Sequence, residues 1–414
     1  MTGREAAPNY LRELGVWATQ RSSFLRFFVF ILMFTSSPLR LGIVGTGFIA
    51  TGLLAACGSR PDRRVTGLLT RRRPDQVRCA RPELLTQSLD QLLDAADVVV
   101  ECSGTVRHAT TVVAAAVAAG KPVVTMNSEF HVTVGSHFVG SGLVTEAEGD
   151  QSGSLAALSE EMTAMGFLPR IYGNTKGYLN LTPTPEDMAY WADRQGIRVE
   201  QVTAFTDGTK VQIEQALVAN GLGATILRQG LLGPKVETVA AGVEQMWAHV
   251  SKIDQACADY VVTPQWPGSI FISATHPSAD PAALAYFKLG PGPLHTIVRP
   301  YHLCFLEIGK TLTRIQRGGG VLLDNSARPR ISVAALAKLD LPAGTQIARG
   351  IGGFQVRGES VLIADHPDHV PIGLLEEAVL KSSVQAGQIL TWNDVEVPDS
   401  MALSAWHGVM GRLG

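Results

Sequence analysis

An acid, a glycine and a lysine stand together where an apolar run of the sequence ends. The stretch is AFTDGTKVQIEQALVAN, residues 204–220, in which Asp207-Gly208 precedes Thr209 and Lys210. A lysine beside an oxygen that gains charge during a reaction supplies both a positive charge and a proton. The helix dipole and partial burial disfavour a protonated lysine at the start of a helix, so we expect its pKa to be lowered towards neutrality.

These residue types predict a catalytic pair. We expect Lys210 to act as general acid and base, and Asp207 to orient the lysine or a substrate hydroxyl. The alternative is structural. Asp207-Gly208 is then an ordinary turn that caps the helix, and Lys210 pairs on the surface with Glu214, four residues further on.

Other charged residues later in the chain are also candidates. The acids Glu146, Glu148 and Asp150 could bind substrate hydroxyls or a divalent cation, and we take Glu146 and Asp150 as catalytic candidates. Lys176 could hold a phosphate or carboxylate as a point charge. His302, in the segment PYHL, could be a second proton-transfer group. A solvated acidic loop and a histidine packed in the core are the alternatives.

A glycine-rich motif of the type G-x-G-x-x-A stands near the start of the patterned sequence. It runs from Gly45 to Ala50, follows an apolar run and opens a helical pattern. In that context the first glycine makes a tight turn, the second admits a pyrophosphate, and the helix N-terminus attracts its charge. The motif predicts a dinucleotide site, and an ordinary glycine-rich turn is the alternative. The expected cofactor contacts are Gly45, Thr46, Gly47, Phe48 and Ile49.

The residues after the expected second strand indicate which dinucleotide is bound. A fold that prefers NAD places Asp or Glu there to hold the ribose 2′-hydroxyl. Here the position is Thr70, followed by Arg71, Arg72 and Arg73. Guanidinium groups suit a 2′-phosphate, so the sequence favours NADP(H) over NAD(H). A solvated basic turn is the alternative.

Residues 97–129 form a further strand–helix–strand unit. An apolar strand, an Ala/Val-rich helix over 106–119 and the strand PVVTMN follow one another. Ligands of open α/β sheets bind at the carboxyl ends of such strands. We therefore expect four residues to face the nicotinamide, although ordinary turn chemistry explains each equally well. They are Ser103, Gly104, Asn127 and Glu129.

The remaining pattern predicts two more regions. Residues 131–328 alternate helices and strands, and VTAFT, residues 202–206, is predicted as a strand before the Lys210 helix. Two segments in the tail, 336–350 and 380–395, share the pattern K-x-x-[LV]-x-A-G-x-x-[IL], which is typical of a small, separate β module. The predicted fold class is α/β, with a Rossmann-type domain over 39–130.

Composition limits the classes of protein. The chain has 414 residues and a net charge of −2, so no overall field favours nucleic acid or a membrane as partner. Five cysteines without CxxC spacing indicate a reducing compartment, and we expect a cytoplasmic protein. The apolar run 27–34 is shorter than the about 20 residues that span a bilayer. Residues 1–38 are expected to be a disordered extension or a start codon assigned too early, and a signal peptide is the other alternative.

Six segments, in order along residues 39–405, resemble one family. They are LGIVGTGFIATG, GKPVVTMNSE, EAEGDQSG, AFTDGTK, RPYHLCFLEI and PIGLLEEAVLKSSVQAGQILTWNDVEVP. They resemble the homoserine dehydrogenase-like NAD(P)-binding oxidoreductases that carry a C-terminal SAF domain, including the 1-deoxyxylulose 5-phosphate reductoisomerase-like group. Homoserine dehydrogenases have Asn-Lys where this chain has Asn127-Ser128, so homoserine itself is in doubt as the substrate.

The resemblance implies three domains and a redox function. A homoserine dehydrogenase-like α/β catalytic and dimerisation domain would cover 131–328, and a SAF-like β domain would cover 329–414. We expect hydride transfer between the nicotinamide of NADP(H) and a carbonyl or hydroxyl of a small hydroxylated or phosphorylated substrate, in a homodimer or homotetramer. The alternatives are a reductoisomerase of a sugar phosphate, with a divalent cation near the acids 146–150, and a cofactor-binding protein without turnover.

Overall fold

A computed structural model describes residues 37–413, so the predictions for residues 1–38 lie almost entirely outside the described residues. The strands are β1 Leu39–Val44, β2 Arg63–Leu69, β3 Leu85–Thr86, β4 Val98–Glu101, β5 Val123–Thr125, β6 Val144–Glu146, β7 Leu168–Lys176, β8 Cys257–Val262, β9 Ile270–Thr275, β10 His295–Arg299, β11 Ile331–Ala337, β12 Gln346–Arg349, β13 Val356–Leu362, β14 Glu376–Leu380 and β15 Val395–Glu396.

The helices lie between these strands and after the last of them. They are α1 Phe48–Cys57, α2 Leu89–Ala95, α3 Val106–Ala118, α4 Ser128–Val134, α5 Gln151–Ala164, α6 Pro185–Gln195, α7 Val199–Thr206, α8 Thr209–Gly221, α9 Val239–Val250, α10 Pro281–Tyr286, α11 Ile308–Gln316 and α12 Met401–Met410. Among residues 37–413, no helix has both the length and the apolar character needed to cross a membrane.

The first sheet is a parallel sheet of the Rossmann type. Its strand order is β3-β2-β1-β4-β5-β6, and every neighbouring pair is parallel. The order reverses between β1 and β4, which is where such folds bind a dinucleotide. The predicted α/β class is confirmed, but β6 extends the sheet past the expected boundary at residue 130.

The glycine motif has the geometry that its spacing predicts. Gly45 has a φ of +115°, and a Cβ there would stand 2.9 Å from the carbonyl oxygen of Cys102. A Cβ on Gly47 would meet nothing within 4 Å, so the backbone is open there. Helix α1 begins at the next residue, Phe48, and points its free N–H groups at this opening.

The second sheet has the order β10-β9-β7-β8. Strands β7 and β8 are parallel, and β9 is antiparallel to both β7 and β10. Helix α8 is buried along its whole length, from Thr209 to Asn220, because it lies between this sheet and the C-terminal strands. The helix that carries Lys210 is therefore held from two sides.

The segment VTAFT is a helix, so its prediction as a strand is wrong. Residues Val199–Thr206 form α7, whose Val202 packs with Met188 and Ala192 of α6. β-branched and aromatic residues favour strands only where they pack in a sheet, and here the partner is a helix. The turn at Asp207 therefore joins two helices.

The C-terminal strands share their core with the helix that carries Lys210. Val333 and Val356 belong to the same buried apolar cluster as Ile213 and Leu217 of α8. Helix α12 packs back onto the Rossmann layer, where Trp406 joins the cluster of the α3 residues. Residues 329–414 are therefore built into both layers of the molecule and have no core of their own.

We expect Gly149→Ala to destabilise the fold much more than Gly140→Ala. Gly149 has a φ of +119°, and its Cβ would stand 2.1 Å from the carbonyl oxygen of Cys304. Gly140 has a φ of +83° but open space around its Cβ, so it is a control for backbone strain alone. Urea unfolding should show a loss of about 1 kcal/mol for Gly140→Ala and about 3 kcal/mol or more for Gly149→Ala. Equal losses would contradict the close approach.

Candidate active site

Lys210 lies in the first turn of α8 at the centre of a buried polar cluster. Only 8% of the residue is exposed. Its Nζ lies 2.5 Å from Ser128 Oγ, 3.3 Å from Asp150 Oδ2 and 3.3 Å from Glu129 Oε1. Glu214 Oε1 is 4.0 Å away, so the i,i+4 pair of the structural alternative exists but is buried.

The charge state of Lys210 differs from the prediction. Burial alone would lower its pKa, but Asp150, Glu129, Glu214 and Glu146 raise it, and the result lies well above the ordinary value of 10.5. The predicted lowering is wrong because the helix dipole is a partial charge, whereas the surrounding carboxylates are full charges. Lys210 is therefore a buried cation at neutral pH.

Asp207 does not orient Lys210, and that prediction is wrong. Its Oδ1 accepts a hydrogen bond of 2.9 Å from the backbone N–H of Thr209, which caps α8. Its Oδ2 lies 2.6 Å from Nζ of Lys338 on the C-terminal side, and both side chains are almost fully buried. Asp207 therefore ties α8 to the C-terminal strands.

Lys176 lies beside Lys210 and shares a carboxylate with it. Its Nζ donates to Gln151 Oε1 at 2.5 Å and to Glu214 Oε2 at 3.0 Å. All four side chains line the same cavity. Lys176 is thus placed in the candidate site, but its charge is already paired.

The three acids after β6 point in three directions. Glu146 Oε2 lies 2.8 Å from Nδ1 of His131, and both groups are fully buried outside the cavity. Burial raises the pKa of Glu146 well above its ordinary value and lowers that of His131 to about 3. Glu148 lies 2.6 Å from Lys310 Nζ. Only Asp150 reaches the cavity, so Glu146 is not placed to touch a substrate.

Among residues 37–413, no group of three or more His, Cys, Asp or Glu side chains is arranged so that it could hold a metal ion. The side chains of Glu146, Glu148 and Asp150 do not converge, because His131, Lys310 and Lys210 hold them apart.

His302 also lines the cavity. Its Nδ1 lies 2.6 Å from the carbonyl oxygen of Gly268. A carbonyl only accepts, so Nδ1 carries the proton and the neutral ring keeps a basic lone pair on Nε2. Burial raises the pKa of Asp150. The charge of Lys210 lowers it, the charge of a protonated His302 lowers it further, and the net shift is downwards.

The cavity joins the polar cluster around Lys210 to the glycine motif. It has a volume of about 530 Å³ and reaches from Phe48, Ile49 and Gly104 to Lys210 and Lys176. Glu129 lines the cavity beside Lys210, and its predicted contact with the nicotinamide stays a prediction. Asn127 is 1% exposed and caps α4 by accepting from Phe130 N, so it does not face the cavity. Ser103 Oγ is buried with no hydrogen-bond partner among residues 37–413.

The basic residues after β2 lie over the glycine motif. Arg72 Nη2 donates to Thr46 Oγ1 at 2.7 Å, and its backbone N–H donates to Thr70 Oγ1 at 3.2 Å. Burial lowers the pKa of His108 on α3, and the nearby charge of Arg71 lowers it further. Arg73 turns away and pairs with Asp75.

Several cavity residues were missed in the sequence. The sequence marked Ser128 only as the position where homoserine dehydrogenases have a lysine. In the structure, its hydroxyl accepts the shortest hydrogen bond of Lys210. Gln151 has no motif that marks it. Arg198, just before α7, and Arg349, on a C-terminal strand, also line the cavity. They could not be predicted, because VTAFT was predicted as a strand and the tail as a separate module.

The fold and the site together define an NAD(P)-dependent oxidoreductase. Comparison with protein families agrees: residues 45–134 match the model "Homoserine dehydrogenase, NAD binding domain". Residues 149–308 match the model "Oxidoreductase DRL, catalytic domain". Residues 45–134 are thus similar to the NAD-binding domain of homoserine dehydrogenases, and residues 149–308 to the catalytic domain of DRL oxidoreductases. Neither match extends past residue 308, so the SAF-like character of residues 329–414 stays a prediction.

Solved structures are similar to the chain at low identity. UDP-N-acetylglucosamine 3-dehydrogenase from Acidithiobacillus ferrooxidans is 14% identical over 69% of this chain and 92% of its own, with a TM-score of 0.41. A probable dehydrogenase from Thermotoga maritima is 13% identical over 69% and 91%, with a TM-score of 0.43. A myo-inositol dehydrogenase from Corynebacterium glutamicum is 13% identical over 68% and 90%, with a TM-score of 0.41. These likenesses indicate no substrate. No curated protein matches the chain.

Replacing Lys210 should destabilise the protein in a pH-dependent way. Burial raises the pKa of Asp150, and Lys210 lowers it to below its ordinary value of 3.8. In Lys210→Met the charge of His302 and the backbone N–H of Gln151 still lower the pKa of Asp150, but burial is the largest influence. We therefore expect this pKa to rise above its unfolded value, so that ionisation of Asp150 destabilises the fold as pH rises. We expect a loss of about 3–5 kcal/mol at pH 7 that shrinks towards about pH 4, measured by urea unfolding.

The matched control for this measurement is Lys310→Met. The Lys310 side chain is 53% exposed and pairs with Glu148 and Glu307 outside the cavity. Its loss should be smaller than that of Lys210→Met, because Glu148 keeps Arg299 as a partner and Glu307 keeps the backbone N–H of Leu303. If Lys210→Met were equally destabilised at both pH values, the carboxylates around Lys210 would not be the cause.

Proposed function

We propose that the protein is an NADP-dependent oxidoreductase that acts on the carbonyl or hydroxyl group of a small polar substrate. The observation that carries this proposal is the position of Lys210, a buried cation in a cavity that begins at the glycine motif. When bound, NADP(H) supplies or accepts the hydride at its nicotinamide ring. The chain's own residues then have to bind the substrate oxygen and move one proton.

Lys210 is the group that delivers this proton. Hydride addition turns a carbonyl carbon into a carbinol carbon and leaves a negative charge on the oxygen. The ammonium group of Lys210 stabilises that charge and donates the proton, which completes the hydroxyl. The raised pKa of Lys210 favours its protonated form and therefore suits the reduction direction.

Three further residues support proton transfer by Lys210. Ser128 Oγ holds Nζ at 2.5 Å, and Asp150 balances its charge at 3.3 Å. His302 lines the same cavity and has its Nδ1 engaged by Gly268, which leaves Nε2 as a basic site. His302 is therefore the second proton-transfer group that we propose, and it returns protons to the cluster after each turnover.

The preference for NADP rests on the basic residues after β2. Arg72 contacts Thr46 of the glycine motif, and no carboxylate occupies position 70, where an NAD enzyme holds the ribose. Arg71 and Arg72 would hold a 2′-phosphate by charge-assisted hydrogen bonds. The oxygens around Lys210, from Asp150, Glu129 and Glu214, also support binding of substrate hydroxyls.

The reductoisomerase alternative requires a group that simple hydride transfer does not. A rearrangement of a sugar phosphate before hydride transfer would need a divalent cation, and Asp150 and Glu129 are two cavity carboxylates that could bind it. Cation binding there requires Lys210 to move away from both. Turnover that stops on chelation and returns with Mg²⁺ or Mn²⁺ would favour this alternative.

The cofactor preference can be tested by titrating the protein with NADPH and NADH and following nucleotide fluorescence. We expect NADPH to bind more tightly, and Arg72→Gln to weaken NADPH binding by about tenfold or more with little effect on NADH. Arg73→Gln is the control, because Arg73 already pairs with Asp75. Equal binding of both nucleotides would contradict the NADP preference, and binding of neither would contradict the function.

The role of Lys210 can be tested by the pH dependence of kcat/KM for NADPH oxidation with a panel of small hydroxylated or phosphorylated aldehydes and ketones. Deprotonation of Lys210 should cause no loss of rate between about pH 7 and pH 10, because its pKa lies well above 10.5. Lys210→Arg, whose side chain does not titrate there, should give a profile of the same shape. Lys210→Met should lose about 10²–10⁴-fold in rate and still bind NADPH. An alkaline decline seen only in the wild type would contradict a permanently charged Lys210.

A further inference from the structure

Two arginines line the active-site cavity without a partner. They are Arg198, the residue before α7, and Arg349, the last residue of β12. Among residues 37–413, neither guanidinium group has a hydrogen bond or an ion pair, whereas Lys210 and Lys176 in the same cavity are both paired with carboxylates. Exposed arginines on a convex surface are commonly unpaired, but these two face a shared concave space.

The two arginines come from segments that pack directly on each other. A Cβ on Gly352, three residues after Arg349, would stand 2.2 Å from the backbone oxygen of Glu200, two residues after Arg198. Phe354 extends this contact by packing against the cluster that contains Val202 of α7. The placement of Arg198 and Arg349 on one wall is therefore fixed by close backbone contact.

Arg198 also reaches the loop after β4. A Cβ on Gly104 would stand 3.6 Å from Nη2 of Arg198. That loop lies at the point where the strand order of the parallel sheet reverses, between β1 and β4. The guanidinium group of Arg198 therefore lies beside the dinucleotide crevice, in the same cavity as Lys210.

The cavity has charge of different kinds at its two ends. Around Lys210 stand the carboxylates of Asp150, Glu129 and Glu214, which would repel a substrate anion and attract hydroxyl groups. At the other end are the two unpaired guanidinium groups. Glu200 and Glu376 also line that end, and Glu376 is directed at Arg107, with Oε2 4.0 Å from Nε.

We propose that Arg198 and Arg349 bind an anionic group of the substrate. The substrate is then a small hydroxy or carbonyl compound with its reacting oxygen at Lys210 and a phosphate ester or carboxylate at the arginine wall. A guanidinium group matches both anions, since its N–H groups bind two oxygens at once. This inference rests on the proposed function, and it adds the charge and the orientation of the substrate.

The test uses the protein saturated with NADPH, at constant ionic strength. It is titrated by calorimetry with four probes: glycerol, glycerate, glycerol 3-phosphate and inorganic phosphate. We expect at least one anionic probe to bind about tenfold or more tightly than glycerol. The glycerate and glycerol 3-phosphate titrations distinguish a carboxylate from a phosphate ester as the preferred anion.

Three variants complete the experiment. Arg198→Gln and Arg349→Gln should each weaken binding of the anionic probe about tenfold or more, and should leave NADPH binding and the thermal midpoint unchanged. Arg194→Gln is the matched control, because Arg194 lies on α6, contacts Tyr190 and does not line the cavity. It should behave as the wild type.

Several results would overturn the proposal. These are equal binding of glycerol and the anions, no binding of any probe, or undiminished anion binding in both variants. A parallel loss of NADPH affinity in Arg198→Gln would assign that arginine to the cofactor instead. Failure of the proposed function would look different, because the wild type would then not bind NADPH at all.

Discussion

The site depends on one electrostatic constraint. A buried lysine or a buried carboxylate destabilises the fold unless a group of opposite charge lies beside it. Lys210, Asp150 and Glu214 are all nearly inaccessible to water, and isolated charges at such positions cost several kcal/mol each. Together they compensate one another, and the hydrogen bond from Lys210 to Ser128 helps to fix the position of Nζ. The same carboxylates keep Lys210 charged, so the stability of the site and the proposed role of Lys210 as a proton donor both depend on them.

A second ion pair sets the position of the catalytic helix. Asp207 ends α7, caps α8 and pairs with Lys338, which also donates to the carbonyl oxygen of Gly353. The C-terminal strands are thereby attached at the residue where the Lys210 helix begins. Gly358 N, on β13, donates to Thr209 Oγ1 in the same turn. These contacts explain why an acid and a glycine precede the lysine: the turn that they form fixes the position of the Lys210 helix.

The local parts of the site could be predicted from the sequence, and the parts that depend on tertiary contacts could not. The glycine motif was predicted correctly because the positive φ of Gly45 and the start of α1 depend on neighbouring residues. The pKa of Lys210 was predicted wrongly because its sign depends on carboxylates from α4 and the loop before α5. Asp207 was assigned to the wrong partner because Lys338 lies far away in the chain.

The shared core of the C-terminal strands has a consequence for how the protein is made. During synthesis, the Rossmann strands and α8 leave the ribosome long before β11, β13 and α12, which complete their cores. Until then, the apolar faces of α8 and α3 are exposed in the nascent chain, and such intermediates are prone to aggregation. A chain that terminates prematurely before residue 331 contains the glycine motif and Lys210 but lacks the strands that bury their supporting helices.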